Sequence, residues 1–209
     1  YMTDVLAPIQ KGERVLVHAA AGGVGSFLIQ LAKRRGATVI AKVGSSQKEA
    51  RSKELGADFT INYKENDYAE VLKKQPKIDV SYNPFGGSTF SKDMKLMNSG
   101  GKLFLFGGSE LSGGRYGFFS SLNFLRKMGI VIPAVLMMSS RSILGVNMLK
   151  IADHRPKVMQ ECLAALMELY RKEKIKVCVG KVYAVKDIAL AHDYLESGAS
   201  MGKISITWD

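Results

Sequence analysis

Residues 15–36 constrain the fold more than any other stretch, because they join a buried-strand pattern to a glycine-dense turn. The stretch reads VLVHAAAGGVGSFLIQLAKRRG and opens on three apolar residues, as a buried strand does. The turn that follows contains Gly22, Gly23 and Gly25. Apolar side chains then recur at helical spacing, at Phe27, Leu28, Leu31 and Ala32. The expected order is therefore strand, tight turn and helix.

A glycine turn between a strand and a helix is suited to hold an anion. A residue without a Cβ lets the main chain approach a phosphate closely. The first N–H groups of a helix have no intrahelical acceptor, and together with the helix dipole they favour negative charge. Aligned with the dinucleotide fingerprint G-x-G-x-x-G, the turn presents Ala20, Gly22 and Gly25, so alanine replaces the first glycine. The alternative is a tight connection that binds nothing.

The rest of the chain alternates strand and helix patterns. Further strands are expected at 38–43, 59–62, 78–83, 102–106 and 142–146, and helices at 45–55, 67–74, 89–97 and 118–128, with a turn or short helix at 133–138. Ser46, with Glu49 three residues later, is typical of a capping box at the second helix. Such alternation implies parallel strands and right-handed crossovers. We therefore predict an α/β Rossmann fold, a doubly wound six-stranded parallel sheet covered on both faces.

The pattern changes after the sixth strand. A long amphipathic helix over 156–174 precedes a strand at 182–185, a helix at 186–195 and a last strand at 204–208. We predict a dinucleotide-binding domain over 1–154 and a small α/β appendage over 155–209 that packs apart from the main sheet.

Composition excludes several classes of protein. The chain has 209 residues, 46% of them apolar, which is ample for a full core. No apolar run reaches the roughly 18 to 20 residues that a membrane span needs, and the N-terminus shows no basic-then-apolar leader. We expect a soluble cytoplasmic protein without a transmembrane segment. Because position 1 is Tyr1, not methionine, the sequence suggests an excised piece.

The charged and metal-ligating residues point to no other partner. The formal charge of +11 is spread over helix patterns without interleaved aromatic residues, which favours solvated helix faces over a nucleic-acid surface. A positive field of this kind suits a phosphorylated small ligand. The two cysteines and three histidines are scattered, so we expect neither a disulfide framework nor a metal site.

Residues after the second strand indicate the form of the cofactor. Sheets that bind NAD place an acidic residue there for the ribose hydroxyls, and its charge would repel the 2′-phosphate of NADP. This chain has Gly44, Ser45 and Ser46, followed by Lys48. Two hydroxyls and an ammonium suit a phosphate monoester. The alternative is that the serines only cap the helix and Lys48 is solvated, although capping and binding are compatible.

The stretch HAAAGGVGSFLIQLAKRRGATVIAKVGSSQKEARSKELGADFTINYKEND resembles the medium-chain dehydrogenase/reductase superfamily, in its zinc-independent quinone oxidoreductase branch with the VAT-1-like members. The segments NPFGGSTF, GGKLFLFGGSE and GKISITWD extend the resemblance over almost the whole chain. The resemblance implies NADPH as cofactor, and Ala20 is the usual residue of this branch at its position.

The resemblance also implies roles for individual residues. The diphosphate would lie on the turn formed by Ala20, Gly22, Gly23, Val24 and Gly25. The 2′-phosphate would be held by Ser45, Lys48 and Tyr63, although Tyr63 is equally interpreted as a half-buried residue at a strand end. The cleft beside the nicotinamide ribose would be lined by Asn83, Phe85, Phe106, Gly107 and Gly108. The nicotinamide amide would lie near Leu144 and Gly145.

The function that the resemblance implies is hydride transfer to a quinone or an activated alkene, without a metal. In this family a catalytic domain precedes the first strand, and 155–209 would be the C-terminal segment of that domain. We therefore expect a chain that holds the cofactor, lacks half of its substrate wall and is inactive alone. No histidine matches a proton-donor motif, so no catalytic residue is assigned. Relatives commonly dimerise through the sixth strand, which predicts a homodimer. The alternative is a VAT-1-like protein in which the dinucleotide only regulates or stabilises.

Overall fold

A computed structural model of the protein describes residues 1–107, 126–128 and 130–208. The strands are β1 Arg14–His18, β2 Thr38–Val43, β3 Phe59–Asn62, β4 Ile78–Asn83, β5 Met97–Leu105, β6 Ser142–Gly145, β7 Val179–Ala184 and β8 Lys203–Thr207. The helices are α1 Gly25–Arg34, α2 Ser46–Glu54, α3 Tyr68–Lys73, α4 Gly87–Leu96, α5 Pro133–Ser139, α6 Met148–His154, α7 Pro156–Arg171 and α8 Ile188–Glu196. A π-helical turn spans Met2–Leu6 and a 3₁₀ turn spans Val185–Asp187.

Six strands form one parallel sheet in the order β3-β2-β1-β4-β5-β6. The predicted doubly wound Rossmann fold is thus confirmed. The central strands read as continuous apolar runs because helices cover both faces of the sheet. Along β1, Val15 and Val17 enter the core beneath α1, whereas Leu16 enters the core beneath α3 and α4. The strand order reverses between β1 and β4, and ligands of such sheets bind beside the carboxyl ends of the strands at this point.

Two local predictions need correction. Helix α2 is capped by Ser45 and not by Ser46, because the Ser45 Oγ accepts the Lys48 N–H at 3.4 Å and Ser46 is the first helical residue. Strand β5 begins at Met97, directly after α4, and not at Lys102. The sequence pattern also predicts no helix at the position of α6. Most of the helix predicted over 118–128 lies outside the described residues, although 126–128 are helical.

The C-terminal segment builds a separate small sheet. Strands β7 and β8 pair in parallel, joined through α8, and neither belongs to the six-stranded sheet. The segment nevertheless contacts the main sheet at its glycine turn, where Gly22 and Gly202 form a parallel bridge. The amide N–H of Lys176 also donates to the Gln30 Oε1 at 2.7 Å. The C-terminal segment therefore lies beside the point at which the strand order of the main sheet reverses.

Candidate cofactor site

The backbone of the turn between β1 and α1 approaches two of its glycines closely. A Cβ on Gly25 would lie 2.6 Å from the Ala20 Cα, and one on Gly22 would lie 3.1 Å from the Ala19 carbonyl oxygen. The left-handed conformation in the turn belongs to Ala19, with φ +48°. Glycine is therefore required at Gly25 by close approach of the backbone and not by a positive φ, whereas a Cβ at Gly22 would need only a small shift of the Ala19 carbonyl.

The same turn presents unpaired amides. Within the described residues, the N–H groups of Val24 and Gly25 make no hydrogen bond, whereas the Gly22 N–H is bound to the Ala19 carbonyl at 2.9 Å and the bridge between Gly22 and Gly202 directs the Gly23 N–H to the Gly202 carbonyl. No side chain caps α1, whose N-cap is Val24. Free amides at the positive end of a helix fit a diphosphate, so the predicted diphosphate residues meet the geometric requirement.

The predicted 2′-phosphate residues converge at the carboxyl end of β2. The Tyr63 hydroxyl lies over Gly44, 2.6 Å from the position of a Cβ there, so a side chain at position 44 would displace the tyrosine ring. Ser45 follows, with its hydroxyl turned to the Lys48 amide. The Lys48 Nζ donates to the Gly198 carbonyl at 2.6 Å. Burial, helped by the charge of Lys64, lowers the pKa of the Lys48 ammonium.

The structure gives Asn83 a role beneath the cleft. Its side chain is fully buried, and its Oδ1 accepts the N–H groups of Phe85 and Gly86 at 2.9 and 3.1 Å. Asn83 thus shapes the turn that carries the half-buried Phe85. The loop after β5 packs onto this turn, since a Cβ on Gly107 would lie 2.7 Å from the Pro84 carbonyl oxygen.

The remaining predicted residues follow β5 or lie at the end of β6. Phe106 is half-buried beside Gly107, and its N–H points to the Asn83 carbonyl at 3.4 Å. Leu144 packs against the core beneath α1, and Gly145 is exposed opposite Leu105. Gly108 lies outside the described residues. The strand ends thus line up the predicted residues along one edge of the sheet.

A buried polar cluster below this edge escaped the sequence analysis. The Asp93 carboxylate accepts from Tyr68 Oη at 2.8 Å, Ser81 Oγ at 2.8 Å and Asn83 Nδ2 at 2.7 Å, and it lies 2.9 Å from His18 Nε2. Burial opposes ionisation of Asp93, but His18 and these hydrogen bonds outweigh it and hold the pKa of the carboxyl below its ordinary value. The feature of the sequence that could have indicated this cluster is Asp93, an acidic residue on the buried face of α4.

Lys42 completes the cluster from β2. Its Nζ lies 3.3 Å from His18 Nδ1, and it faces the rings of Tyr68 at 4.3 Å and Phe85 at 5.4 Å. Burial, opposed by the charge of Asp93, lowers the pKa of Lys42 to about 8. Because an ammonium only donates, Nδ1 of His18 accepts from Lys42 and Nε2 carries the proton given to Asp93. In the sequence, Lys42 could have been recognised as part of a buried polar cluster because it is the lysine of an otherwise apolar strand.

The described residues contain neither a metal-binding cluster nor a helix that could span a bilayer. In the ranges 1–107, 126–128 and 130–208, no group of three or more His, Cys, Asp or Glu side chains is placed to hold a metal ion. In the same ranges, every helix is too short or too polar to span a bilayer.

The fold and the glycine turn define a Rossmann-type domain of the kind that binds dinucleotides at the switch point of its sheet. A sequence model of the family described as zinc-binding dehydrogenases matches residues 23–169. The chain belongs to this family, in the medium-chain dehydrogenase/reductase superfamily and its VAT-1-like quinone oxidoreductase branch. The family predicted from the sequence motifs is thereby confirmed.

Individual relatives agree with this placement. Quinone oxidoreductase 1 of Escherichia coli K12 is 33% identical over 207 residues, which cover 97% of this chain and 59% of that protein. A synaptic vesicle membrane protein VAT-1 homolog of Danio rerio is 29% identical over 202 residues, 95% of this chain and 42% of that protein. The chain thus spans about half the length of the curated relatives that it matches, from 42% to 59% of these two.

A solved structure gives the same architecture with a ligand. The crystal structure of Escherichia coli quinone oxidoreductase complexed with NADPH superposes with a TM-score of 0.79 at 30% identity. The superposition covers 99% of this chain and 60% of that one. The fold of that protein binds NADPH.

Proposed function

We propose that this chain is the cofactor-binding part of an NADPH-dependent oxidoreductase of quinone oxidoreductase type. The observation that carries the proposal is the turn of Gly22–Gly25, where the amides of Val24 and Gly25 lack acceptors among the described residues. Family membership and the NADPH complex of the Escherichia coli enzyme support the same ligand. In this proposal the diphosphate lies on those amides, and residues 155–209 belong to the catalytic domain.

Preference for NADPH over NADH comes from the end of β2. No carboxylate follows this strand to bind ribose hydroxyls, and Ser45, Lys48 and Tyr63 lie there instead. A partly buried ammonium attracts a dianionic phosphate more strongly than an exposed one, because water screens it less. We therefore assign these three side chains to the 2′-phosphate.

The other strand ends position the nicotinamide half. Phe85, Phe106, Gly107 and Gly108 would line the ribose side of the cleft, and Leu144 with Gly145 would face the carboxamide. When bound, the reduced nicotinamide supplies a hydride to a quinone or an activated alkene. The residues of this chain orient the ring and exclude water from its face. The reaction proposed here needs no metal, and no proton donor is assigned.

The remaining parts of the proposal concern the assembly. Strand β6 is the last strand of the sheet in the described residues, so its free edge would pair with a second copy of the chain in a homodimer. The proposed partner is a small-molecule acceptor, without nucleic acid, in a cytoplasmic protein.

Titration of the protein with NADPH and NADH, followed by nicotinamide fluorescence, tests the proposed cofactor. We expect NADPH to bind about tenfold more tightly or better, and Lys48→Ala to remove this preference, since a hydrogen bond to a charged group contributes about 1.5 to 3 kcal/mol. Equal affinity for the two nucleotides would contradict the assignment. Exposed Lys53 on the same helix gives the matched control, Lys53→Ala, which should change neither affinity.

A second candidate function is a dinucleotide-binding regulatory protein with little turnover. It is favoured by the VAT-1 homolog among the relatives. NADPH oxidation by the protein at its full natural length, measured with a panel of quinones and enals, separates the two. Turnover that depends on the acceptor supports the oxidoreductase, whereas tight NADPH binding without turnover supports the regulatory role.

A further inference from the structure

We propose that Lys42 is a positioning residue of the cofactor cleft, and that its ammonium holds the rings of Tyr63 and Phe85 in place for the dinucleotide. This inference rests on the proposed function above, in which Tyr63 contacts the 2′-phosphate and Phe85 lines the nicotinamide side. It adds a buried residue that acts on the ligand through these two rings.

The Lys42 ammonium lies among three aromatic rings at the carboxyl edge of the sheet. Its Nζ is 5.3 Å from the centre of the Tyr63 ring, 5.4 Å from that of Phe85 and 4.3 Å from that of Tyr68. Lys42 is only 7% exposed, and a cation within about 6 Å of a ring face is attracted most strongly where water is excluded. Because Lys42 belongs to β2, Tyr63 follows β3 and Phe85 follows β4, one cation joins three neighbouring segments.

A chain of polar contacts fixes this ammonium from beneath the cleft. The Lys42 Nζ donates to His18 Nδ1 at 3.3 Å, and His18 Nε2 lies 2.9 Å from the Asp93 carboxylate. The same carboxylate accepts from Asn83 Nδ2 at 2.7 Å, and the Asn83 Oδ1 accepts the Phe85 amide at 2.9 Å. Phe85 is therefore held twice, by the turn that Asn83 shapes and by its ring contact with Lys42.

The Tyr63 ring depends on Lys42 more than the Tyr68 ring does. Tyr68 is buried, and its hydroxyl donates to Asp93 at 2.8 Å. Tyr63 is 50% exposed, and within the described residues its hydroxyl has no hydrogen-bond partner. Several rotamers are open to such a side chain, and a cation against its face favours the one that lies over Gly44. Loss of the ammonium should therefore release Tyr63 and leave Tyr68 in place.

The surroundings of Lys42 make its charge sensitive to pH. Besides the two tyrosines, the titratable and charged groups that face it are His18 on β1, Asp67 before α3, and Lys92 and Asp93 on α4. Burial outweighs the attraction of the two carboxylates and lowers the pKa of Lys42 to about 8.

The affinity for NADPH should therefore fall as the pH rises. A neutral amine lacks the attraction to ring faces that a cation has, so the protonated protein is the form that binds more tightly. Affinity should be highest below pH 8 and decrease above it. Because loss of the buried charge favours the folded state over the same pH range, unfolding does not account for this decrease.

Titration of the protein with NADPH at pH 7, 8, 9 and 10, followed by nicotinamide fluorescence, tests the proposal. The Kd of the parent protein should rise about tenfold from pH 7 to pH 10. Lys42→Met should bind about tenfold more weakly at pH 7 and show a much smaller further rise. Lys48 is present in both proteins, so the part of the rise that comes from its titration is common to them. Lys42→Arg should bind NADPH at pH 10 more tightly than the parent protein, because a guanidinium stays protonated.

A double-mutant cycle shows whether Lys42 acts through Tyr63. In the background of Tyr63→Leu, the change Lys42→Met should cost clearly less than tenfold in affinity, since one of its two rings is already absent. Tyr63→Leu alone should flatten the pH profile, and this measurement needs no change at Lys42. The matched control is Lys77→Met, which removes an exposed lysine at the opposite edge of the sheet and should keep the parent profile.

Parallel pH profiles for the parent protein and Lys42→Met would overturn the proposal, because a purely structural defect weakens binding equally at every pH. An undiminished effect of Lys42→Met in the Tyr63→Leu background would overturn it as well. If the parent protein binds NADPH at no pH, the proposed cofactor itself is wrong. That outcome is distinct from tight binding that lacks the pH dependence, which contradicts the role of Lys42 alone.

Discussion

The two parts of the molecule bury their apolar side chains to different extents. In residues 1–107, β1, β2 and β4 are almost fully enclosed by helices, and Leu16 has no exposed surface. In residues 130–208, amphipathic helices form equally well, yet Leu163 on α7 is 58% exposed and Met138 on α5 is 84% exposed. A helical pattern in a sequence thus predicts a helix, but burial requires a neighbouring surface.

The same contrast holds for charge. Around Asp93 in the first part, four donors converge on one buried carboxylate. In the second part, Lys172 and Glu168 form an exposed pair on one helix surface. Exposed pairs contribute little to folding, whereas a buried charge that loses its partners is costly. We therefore expect the stability of the fold to come mainly from the first part, and the binding specificity to come from the border between the two parts.

The largest effect is expected at the buried carboxylate. Asp93→Asn should lower the free energy of unfolding by about 3 to 5 kcal/mol, because the amide NH₂ would face donors that the carboxylate accepted. Urea unfolding followed by circular dichroism measures this. The matched change in the second part, exposed Asp153→Asn, should stay within about 0.5 kcal/mol. Similar costs at both sites would contradict the contrast.

The apolar cores give the next effect. Leu16→Ala should cost about 2 to 5 kcal/mol, since it leaves a cavity in the core beneath α3 and α4. Leu163→Ala should change stability by no more than about 0.5 kcal/mol, because its side chain is largely in water already. Both values follow from thermal unfolding of the two variants beside the parent protein. A large loss at Leu163 would show that α7 is covered in solution.

The pH dependence of stability tests Lys42. Its pKa in the folded protein is lowered to about 8 from an ordinary value of 10.5. The unfolded chain therefore binds the extra proton between these two pH values, and stability rises with pH across this window. Below about pH 8 both states are protonated, and the cost of burying the ammonium is fully present.

Relative to Lys42→Met, the parent protein should thus gain up to about 3 kcal/mol of stability as the pH rises from 8 to 10.5. Urea unfolding of both proteins at three pH values across this window measures the difference. Exposed Lys186→Met serves as the control, and its difference from the parent protein should be independent of pH. Parallel curves for Lys42→Met and the parent protein would exclude a lowered pKa.

Most of the fold could be predicted from local patterns in the sequence. Strands β2, β3 and β4 begin and end at the predicted residues, because each is a short β-branched or aromatic run bounded by glycine, proline or polar residues. The glycine turn could also be predicted, because the spacing of its glycines is set by a few neighbouring residues. The cap of α2 was misplaced by one residue because adjacent serines satisfy the same pattern, and only the direction of a side-chain hydrogen bond distinguishes them.

Contacts between distant segments could not be predicted from the sequence. His18 and Asp93 are 75 residues apart, and Lys48 and Gly198 are 150 apart. Neither pair follows a periodic pattern, because tertiary packing alone brings them together. The sequence therefore predicted the glycine turn between β1 and α1 and the position of the residues after β2, and their roles as phosphate ligands stay predictions. It missed the buried cluster beneath them.

The crystal structure of the protein grown or soaked with NADPH tests the central claim most directly. We expect the diphosphate within hydrogen-bond distance of the amides of Val24 and Gly25 at the start of α1. The 2′-phosphate should lie beside Ser45, Lys48 and Tyr63. An empty recess at saturating NADPH, or a nucleotide bound at another place on the sheet, would contradict the account.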